Sequence, residues 1–496
     1  MKIVIVGGGT AGWVTATMWK KYTTDVDITV IESPNIPIIG AGEGSTGSLP
    51  YLIRDKWPDN SVNELDFLRK TKGTIKLGIK LQNWKGDGKY FYSPFHGSPT
   101  YTAPIDYALM GAILKYGRAD YSSLHTWMME DKLTTFRKDG SRISPMFQNH
   151  SYHFDGVEVG KYFKEWCTSR GVKYISADVL DVTFDEREYL QSVKLSDGQV
   201  VESNYWFDCS GFGRVLMGKT KNKWISYKDY LPTNTAIPFS TDISSKTVKF
   251  ETLAQALNSG WMWKIPLHHR NGCGYVFCDA FQNVDDSVNE LEKILGHNVE
   301  PIKTIKFEAG RYEKIWYNNI ISIGLSSHFL EPLQATSIHI SIVSVAQLLF
   351  DHMKGMVTYQ HVDSELYNKH MGSVIDDYRD FLQMHYLAGR EDTPFWKFVT
   401  NELKVTDRNQ EFINISKFRT IGLGDMQNSV GSAGFPLWCH ILDNSGLYLT
   451  ENIKWELEHF GQTKRVYDEI DDLKKNYDSI KSKLVSNEEF FKYLKI

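Results

Sequence analysis

Lys2-Ile3-Val4-Ile5-Val6-Gly7-Gly8-Gly9-Thr10-Ala11-Gly12 opens the chain with a short apolar run that breaks into Gly7-x-Gly9-x-x-Gly12. Thr10–Lys21 then carries Ala11, Val14 and Met18 on one helical face. Strand, tight turn and helix in that order predict the front half of a dinucleotide-binding unit. Gly7 permits the turn, Gly9 lets the backbone approach a pyrophosphate, and Gly12 lets helix and strand pack closely, while the helix N-terminus faces the phosphate charge. The next strand, Asp27-Ile28-Thr29-Val30-Ile31, ends at Glu32, twenty residues past Gly12, where a carboxylate accepts hydrogen bonds from an adenosine ribose. The competing reading of Glu32 is a surface acid at a strand end. The motif does not by itself choose between FAD and NAD.

Composition bounds the rest. A chain of 496 residues is long enough for two or three lobes, threaded discontinuously in large flavoproteins. With 56 basic against 60 acidic residues, a net charge of -4 and no Lys/Arg stripe, nucleic acid is not expected as a partner and small molecules are. The five cysteines, Cys167, Cys209, Cys273, Cys278 and Cys439, are odd in number with no Cys-x2-Cys spacing, and read as reduced, buried thiols with no metal site. The N-terminus enters a strand with no signal core, and no run of about eighteen apolar residues is evident, so a cytoplasmic protein without a membrane partner is expected.

Ser259-Gly260-Trp261-Met262-Trp263-Lys264-Ile265-Pro266 places two tryptophans one residue apart on an extended segment, so both point the same way and form an apolar wall. Alone, such a pair reads as core packing. The string Trp-x-Trp-x-Ile-Pro, however, resembles the signature of the flavin-dependent halogenases, the family typified by tryptophan halogenases. A second string, Glu32-Ser33-Pro34-Asn35-Ile36-Pro37-Ile38-Ile39-Gly40-Ala41-Gly42-Glu43, is similar to one that wraps the flavin in that family, and Asp208-Cys209-Ser210-Gly211-Phe212 is similar to the point where its cofactor domain is re-entered. The resemblance implies FAD, used as FADH2, held by Gly7, Gly9, Thr10, Ala11, Gly12, Trp13, Glu32, Ser33, Gly42, Glu43, Gly324 and Leu333. It makes Trp261, Trp263, Ile265 and Pro266 the wall of a tunnel.

Thr74-Ile75-Lys76-Leu77-Gly78-Ile79-Lys80-Leu81 alternates, with Ile75, Leu77, Ile79 and Leu81 on one face and Thr74, Lys76, Gly78 and Lys80 on the other. The pattern predicts one half-buried strand with both lysines solvated, and Gly78 open to close approach of a ligand. The family carries its essential lysine on such a strand ahead of Asn-Trp, here Asn83-Trp84, and Lys76 is the matching position. Its ammonium can hydrogen-bond hypohalous acid, or its free amine can form a haloamine; both remain open.

Gly324-Leu325-Ser326-Ser327-His328-Phe329-Leu330-Glu331-Pro332-Leu333-Gln334-Ala335-Thr336-Ser337 follows the strand Ile320–Ile323 and feeds the helical run Ile338–Phe350. A helix N-terminus suits a halide, and the family motif assigns it to the N–H groups of Thr336 and Ser337. Aromatic hydroxylases on the same cofactor fold have Gly-Asp where Gly324-Leu325 stands, which argues against hydroxylation. One position departs: the second acid of the family's Glu/Asp-Pro-Leu-Glu, the partner of the lysine, is Gln334, which can hydrogen-bond but not take a proton at neutral pH.

Further matches are Arg270–Phe277, Tyr152-His153-Phe154-Asp155 and the run from His385-Tyr386 to Trp396, with Ile375, Tyr378, Leu382 and His385 at helical spacing. Gly431–Trp438 reads as a loop near the substrate pocket. The tail Lys464–Ile496 reads as an amphipathic helix, with Ile470, Leu473, Tyr477, Ile480 and Leu484 on one face, packing on the body or on another subunit; a homo-oligomer stays open.

The expected fold is α/β plus α: a Rossmann-like FAD lobe of the aromatic-hydroxylase type at 1–90, 150–235 and 310–350, a substrate-side sheet at 91–149 and 236–309, and a helical C-terminal region at 351–496. The expected function is that of an FADH2-dependent halogenase, supplied by a separate flavin reductase. It forms hypohalous acid from halide and O2 and halogenates a small electron-rich aromatic. The alternatives are an FAD aromatic monooxygenase and a flavin-binding relative without turnover.

Overall fold

The computed structural model describes residues 1–37, 42–54, 63–95, 106–140, 150–243, 248–352, 360–426 and 434–496. The chain divides into two compact units.

The first unit comprises Met1–Gly73, Phe154–Tyr227 and Glu308–Asp376. Its sheet runs, edge to edge, Trp316–Tyr317, Ile320–Ser322, Tyr205–Asp208, Lys2–Val6, Asp27–Glu32 and Lys173–Ser176. All neighbours are parallel except the first pair. Both faces are covered, which explains why the strands read as continuous apolar runs. Val4, Val6, Ile31 and Trp206 pack against Leu190, Val193 and Leu195 of an antiparallel meander. On the opposite face Trp19, from the helix Thr10–Tyr22, meets Phe207 edge-on at 5.6 Å. The strand Tyr205–Asp208 lies beside the first strand, so the Asp208 segment does re-enter the cofactor sheet as expected.

The second unit comprises Thr74–His153, Lys228–Phe307 and Asp377–Ile496. Its sheet has the order Ile305–Lys306, Thr235–Thr241, Asn271–Phe277, Gly260–Pro266, Glu251–Ala256, Gly78–Gln82 and Tyr90–Pro94. One face of this sheet, with Ile237, Met262 and Tyr275, packs on Leu291 of the helix Val284–Leu295. Residues 74–90, expected with the cofactor lobe, cluster with this unit because Gly78–Gln82 pairs with Glu251–Ala256 and Tyr90–Pro94. Likewise 351–496 is divided between the units at Asp376, within the helix Gln360–Tyr386.

Four other expectations change. The lysine segment is two strands, Thr74–Lys76 and Gly78–Gln82, broken at Leu77, and Thr74–Ile79 is buried throughout instead of half-buried. The tail helix ends at Ile480; Leu484 lies in a strand, Leu484–Ser486, paired with Leu133–Arg137. Val466, Ile470, Leu473 and Tyr477 form that helix's buried stripe. Gly431–Ala433 fall outside the described residues, and Phe435–Trp438 begins a helix with Pro436 in its first turn, where a missing N–H costs nothing. The helical run Leu333–His352 is apolar and long enough by composition to cross a membrane, although about half of it is buried in the protein. All five cysteines are free and buried.

Candidate functional site

In the first unit the glycine loop has the geometry that a dinucleotide phosphate needs. Gly7 has φ +118, and a Cβ there would lie 2.2 Å from the Cys209 carbonyl oxygen; a Cβ on Gly12 would lie 1.9 Å from the Gly7 oxygen. A Cβ on Gly9 would meet nothing within 4 Å. Gly7 and Gly12 are thus small for packing, whereas Gly9 borders open space at the N-terminus of the helix Thr10–Tyr22. That space fits a pyrophosphate, with the first-turn amides of Thr10, Ala11 and Gly12 turned to it. The Trp13 backbone N–H is bonded to the Gly9 carbonyl at 3.1 Å, and its ring is buried.

Glu32 stands at the end of its strand beside Gly8, ion-paired with Lys164 at 2.8 Å, with a carboxylate still partly exposed. The Ser33 hydroxyl donates to Asp178. Gly42 is left-handed, φ +74, and Glu43 accepts from the Thr10 hydroxyl at 3.3 Å. Burial pushes the Glu43 carboxyl up to about 7; the Thr10 bond opposes this and the charge of Asp155 adds to it. Ile38–Ala41 of the same string fall outside the described residues. Gly324 has φ +72, and a Cβ there would lie 2.9 Å from Ala11 Cβ, which brings the second family segment against the start of the first helix. Asp208, unassigned from the sequence, holds this end of the sheet together: its carboxylate accepts from Ser210 N and Oγ and from the Leu216 and Met217 amides.

Leu333 is buried, and Gln334 (φ 64) and Ala335 (φ 54) are consecutive left-handed residues without glycine. Such backbone costs about 1–3 kcal/mol per residue and collects at functional sites. The helix Thr336–Gln347 follows with no side-chain cap, and the buried Thr336 hydroxyl oxygen has no hydrogen-bond partner among the described residues. The Thr336 and Ser337 amides therefore sit in an uncapped first turn, a suitable seat for an anion. Glu331 and Gln334 are both buried.

The second unit carries the lysine. Lys76 is 1% exposed, and burial, the sole cause of the shift, pushes its ammonium down to about 7. No ion pair to it occurs among the described residues, and its Nζ lies 5.1 Å from the Phe95 ring centroid. The solvated lysine expected from alternation is therefore corrected: Lys76 lies on a separate short strand that pairs with Ser151–Phe154 and ends at Leu77, whose N–H donates to the Phe250 carbonyl, and its side chain is buried. Lys80 is only half-buried and lies 3.7 Å from the Tyr90 ring centroid. Gly78 does not make room for a ligand. A Cβ there would lie 2.6 Å from the Ser93 carbonyl oxygen of the neighbouring strand.

Trp261 and Trp263 share one face of the strand Gly260–Pro266 at 6.1 Å between rings, with Met262 on the other face in the core. Ile265 follows on the tryptophan face, and Pro266 by alternation does not. Gly274, opposite Trp263, leaves room for its ring; a Cβ there would lie 2.1 Å from it. Trp261 reaches an aromatic cluster through Trp84 at 6.4 Å, and Trp84 meets Tyr386 and Trp396. The Trp261 Nε1 is buried without a hydrogen-bond partner among the described residues.

The family description "Tryptophan halogenase" matches residues 2–440. The tryptophan 7-halogenase RebH of Lentzea aerocolonigenes is 31% identical over 84% of this chain and 81% of its own. The 7-chloro-L-tryptophan 6-halogenase KtzR of Kutzneria sp. (strain 744) is 30% identical over 80% of this chain and 81% of its own. Among solved structures, a tryptophan C-6 flavin-dependent halogenase from taromycin biosynthesis superposes with a TM-score of 0.85 at 27% identity, covering 100% of both chains. With the glycine loop, the Trp-x-Trp strand and the buried lysine on one chain, the protein belongs to the tryptophan halogenase family of flavin-dependent enzymes.

Proposed function

We propose that the protein is an FADH2-dependent halogenase acting on an electron-rich aromatic of indole or phenol type, with reduced flavin supplied by a separate reductase. Bound FADH2 would supply the two electrons with which O2 oxidises halide to hypohalous acid. The overall balance is FADH2 + O2 + X⁻ + H⁺ + ArH giving FAD + ArX + two waters. The first unit serves as the cofactor lobe: Gly9, the Thr10–Gly12 amides and Glu32 bind FAD, with Gly42, Glu43, Gly324 and Leu333 beside it. Thr336 and Ser337 amides hold the halide. The second unit carries the halogenation step, in which Lys76 Nζ binds hypohalous acid and its halogen is attacked by the ring, releasing water.

The observation that carries this reading is Lys76: a lysine removed from water without an ion-pair partner among the described residues. Such burial is costly and gives stability nothing, so a chemical task accounts for it. With an ammonium close to half-protonated at neutral pH, the side chain can donate to the hypohalous oxygen as it leaves. Trp261 and Trp263 serve as an apolar wall of the halogenation site in the second unit. Because Gln334 takes no proton, the ring proton leaves to water, which favours activated rings and the more readily oxidised bromide and iodide over chloride.

The test is a panel of indoles and phenols with FAD, a flavin reductase and each halide, read by mass spectrometry. A halogen isotope pattern that disappears in Lys76→Ala supports the proposal. Gain of one oxygen without halogen establishes the monooxygenase instead, and no product on any arene favours the flavin-binding relative.

A further inference from the structure

A buried hydrogen-bonded chain runs behind the lysine. Thr74 faces His153 across the short ladder in which Lys76 faces Ser151. The Thr74 hydroxyl lies 3.0 Å from His153 Nδ1 and donates to the Pro266 carbonyl at 2.9 Å, while His153 Nε2 lies 2.9 Å from the Thr252 hydroxyl. Thr74 and His153 are wholly buried and Thr252 nearly so.

The directions of these bonds follow from counting protons. A hydroxyl has one proton, and a carbonyl can only accept, so the Thr74 proton points at Pro266. Thr74 Oγ1 must then accept from His153, which places the imidazole proton on Nδ1. In the neutral ring Nε2 is an acceptor, and Thr252 donates to it. The chain therefore reads Thr252 to His153 to Thr74 to Pro266, and it joins the strand Glu251–Ala256, the Ser151–Phe154 strand, the lysine strand and the end of the tryptophan strand. Burial, reinforced by the charge on Lys76, holds the imidazole neutral by driving its pKa well below the ordinary value.

We propose that His153 is a positioning residue for Lys76: as the Nδ1–H tautomer between Thr252 and Thr74, it locks the three-residue lysine strand to the end of the Trp-x-Trp strand. That strand has only a short ladder and stops at Leu77, so its register has few other constraints. The step touched is the transfer of halogen to the ring and not the formation of oxidant, and the inference rests on the reading of Lys76 given above.

Two measurements test it. In ¹⁵N-histidine-labelled full-length protein at neutral pH, the resonance lost in His153→Asn should show a protonated Nδ1 and a bare Nε2. An Nε2–H tautomer or an imidazolium overturns the proposal without reference to activity. In bromination of indole with FAD, reductase and bromide, Thr252→Val should lower kcat about tenfold with KM for indole and oxygen consumption within twofold, and Thr252→Ser should restore the rate. Equal rates for Thr252→Val and wild type, in protein shown by FAD titration and circular dichroism to be folded, overturn it. Lys76→Ala separates the two readings: full activity there removes the catalytic role of Lys76, while a dead Lys76→Ala beside a fully active Thr252→Val removes only the role of His153.

Discussion

Replacing Lys76 by Met should make the protein more stable and abolish halogenation. Methionine has nearly the volume of lysine's stem and needs no hydration, so the substitution keeps packing and deletes a charge. The folded ammonium titrates at about 7 against an ordinary 10.5, a difference of about 3.5 units, and each unit is worth ~1.36 kcal/mol. Because the folded pKa is depressed, the unfolded chain binds the extra proton between these values. The penalty is therefore whole below about pH 7, at about 5 kcal/mol, and fades as pH rises towards 10.5. Wild type should gain stability relative to Lys76→Met by ~1.4 kcal/mol per pH unit over that window. Urea unfolding of the FAD-free proteins at about pH 6, 7.5 and 9, followed by tryptophan fluorescence, reads the difference directly. A variant that is less stable than wild type at every pH, or a gap that does not narrow with rising pH, would falsify the claim that the lysine is buried unpaired at a cost.

Other outcomes follow from the same geometry. Gly9→Ala should fold as wild type, since its Cβ meets nothing within 4 Å, yet bind FAD at least tenfold more weakly by isothermal titration because that Cβ enters the phosphate space; unaltered FAD affinity would remove Gly9 from the cofactor site. Trp263→Ala should retain FAD but form fewer halogenated molecules per O2 consumed; lost stability of about 3–5 kcal/mol with unchanged coupling would make the ring a packing element only. Gln334→Glu should raise turnover on less activated arenes, measured as product per minute against wild type, and no gain on any arene would mean that ring deprotonation was never limiting.

The sequence by itself was enough for the parts whose signal is local. Gly7 and Gly12 are dictated by contacts within one strand-turn-helix unit, and Trp261 and Trp263 point together because a strand alternates whatever surrounds it. The helix after Ala335 likewise follows from its own apolar run. Tertiary structure decided what depends on neighbours distant in sequence. Alternation reports a difference in polarity between two faces, and that difference loses its meaning when both faces are covered; hence Lys76, written like a solvated residue, is buried on a short strand paired with residues 151–154. Gly78 looked like an opening and is a contact with the Ser93 carbonyl. The tail helix stops at Ile480 because Leu484 finds a strand partner some 350 residues earlier in the chain, at Arg137. His153 belonged to a matched string without a role, and only the placement of Thr74, Thr252 and the Pro266 carbonyl around it chooses its tautomer, since a proton's position is set by the acceptors that surround it in space.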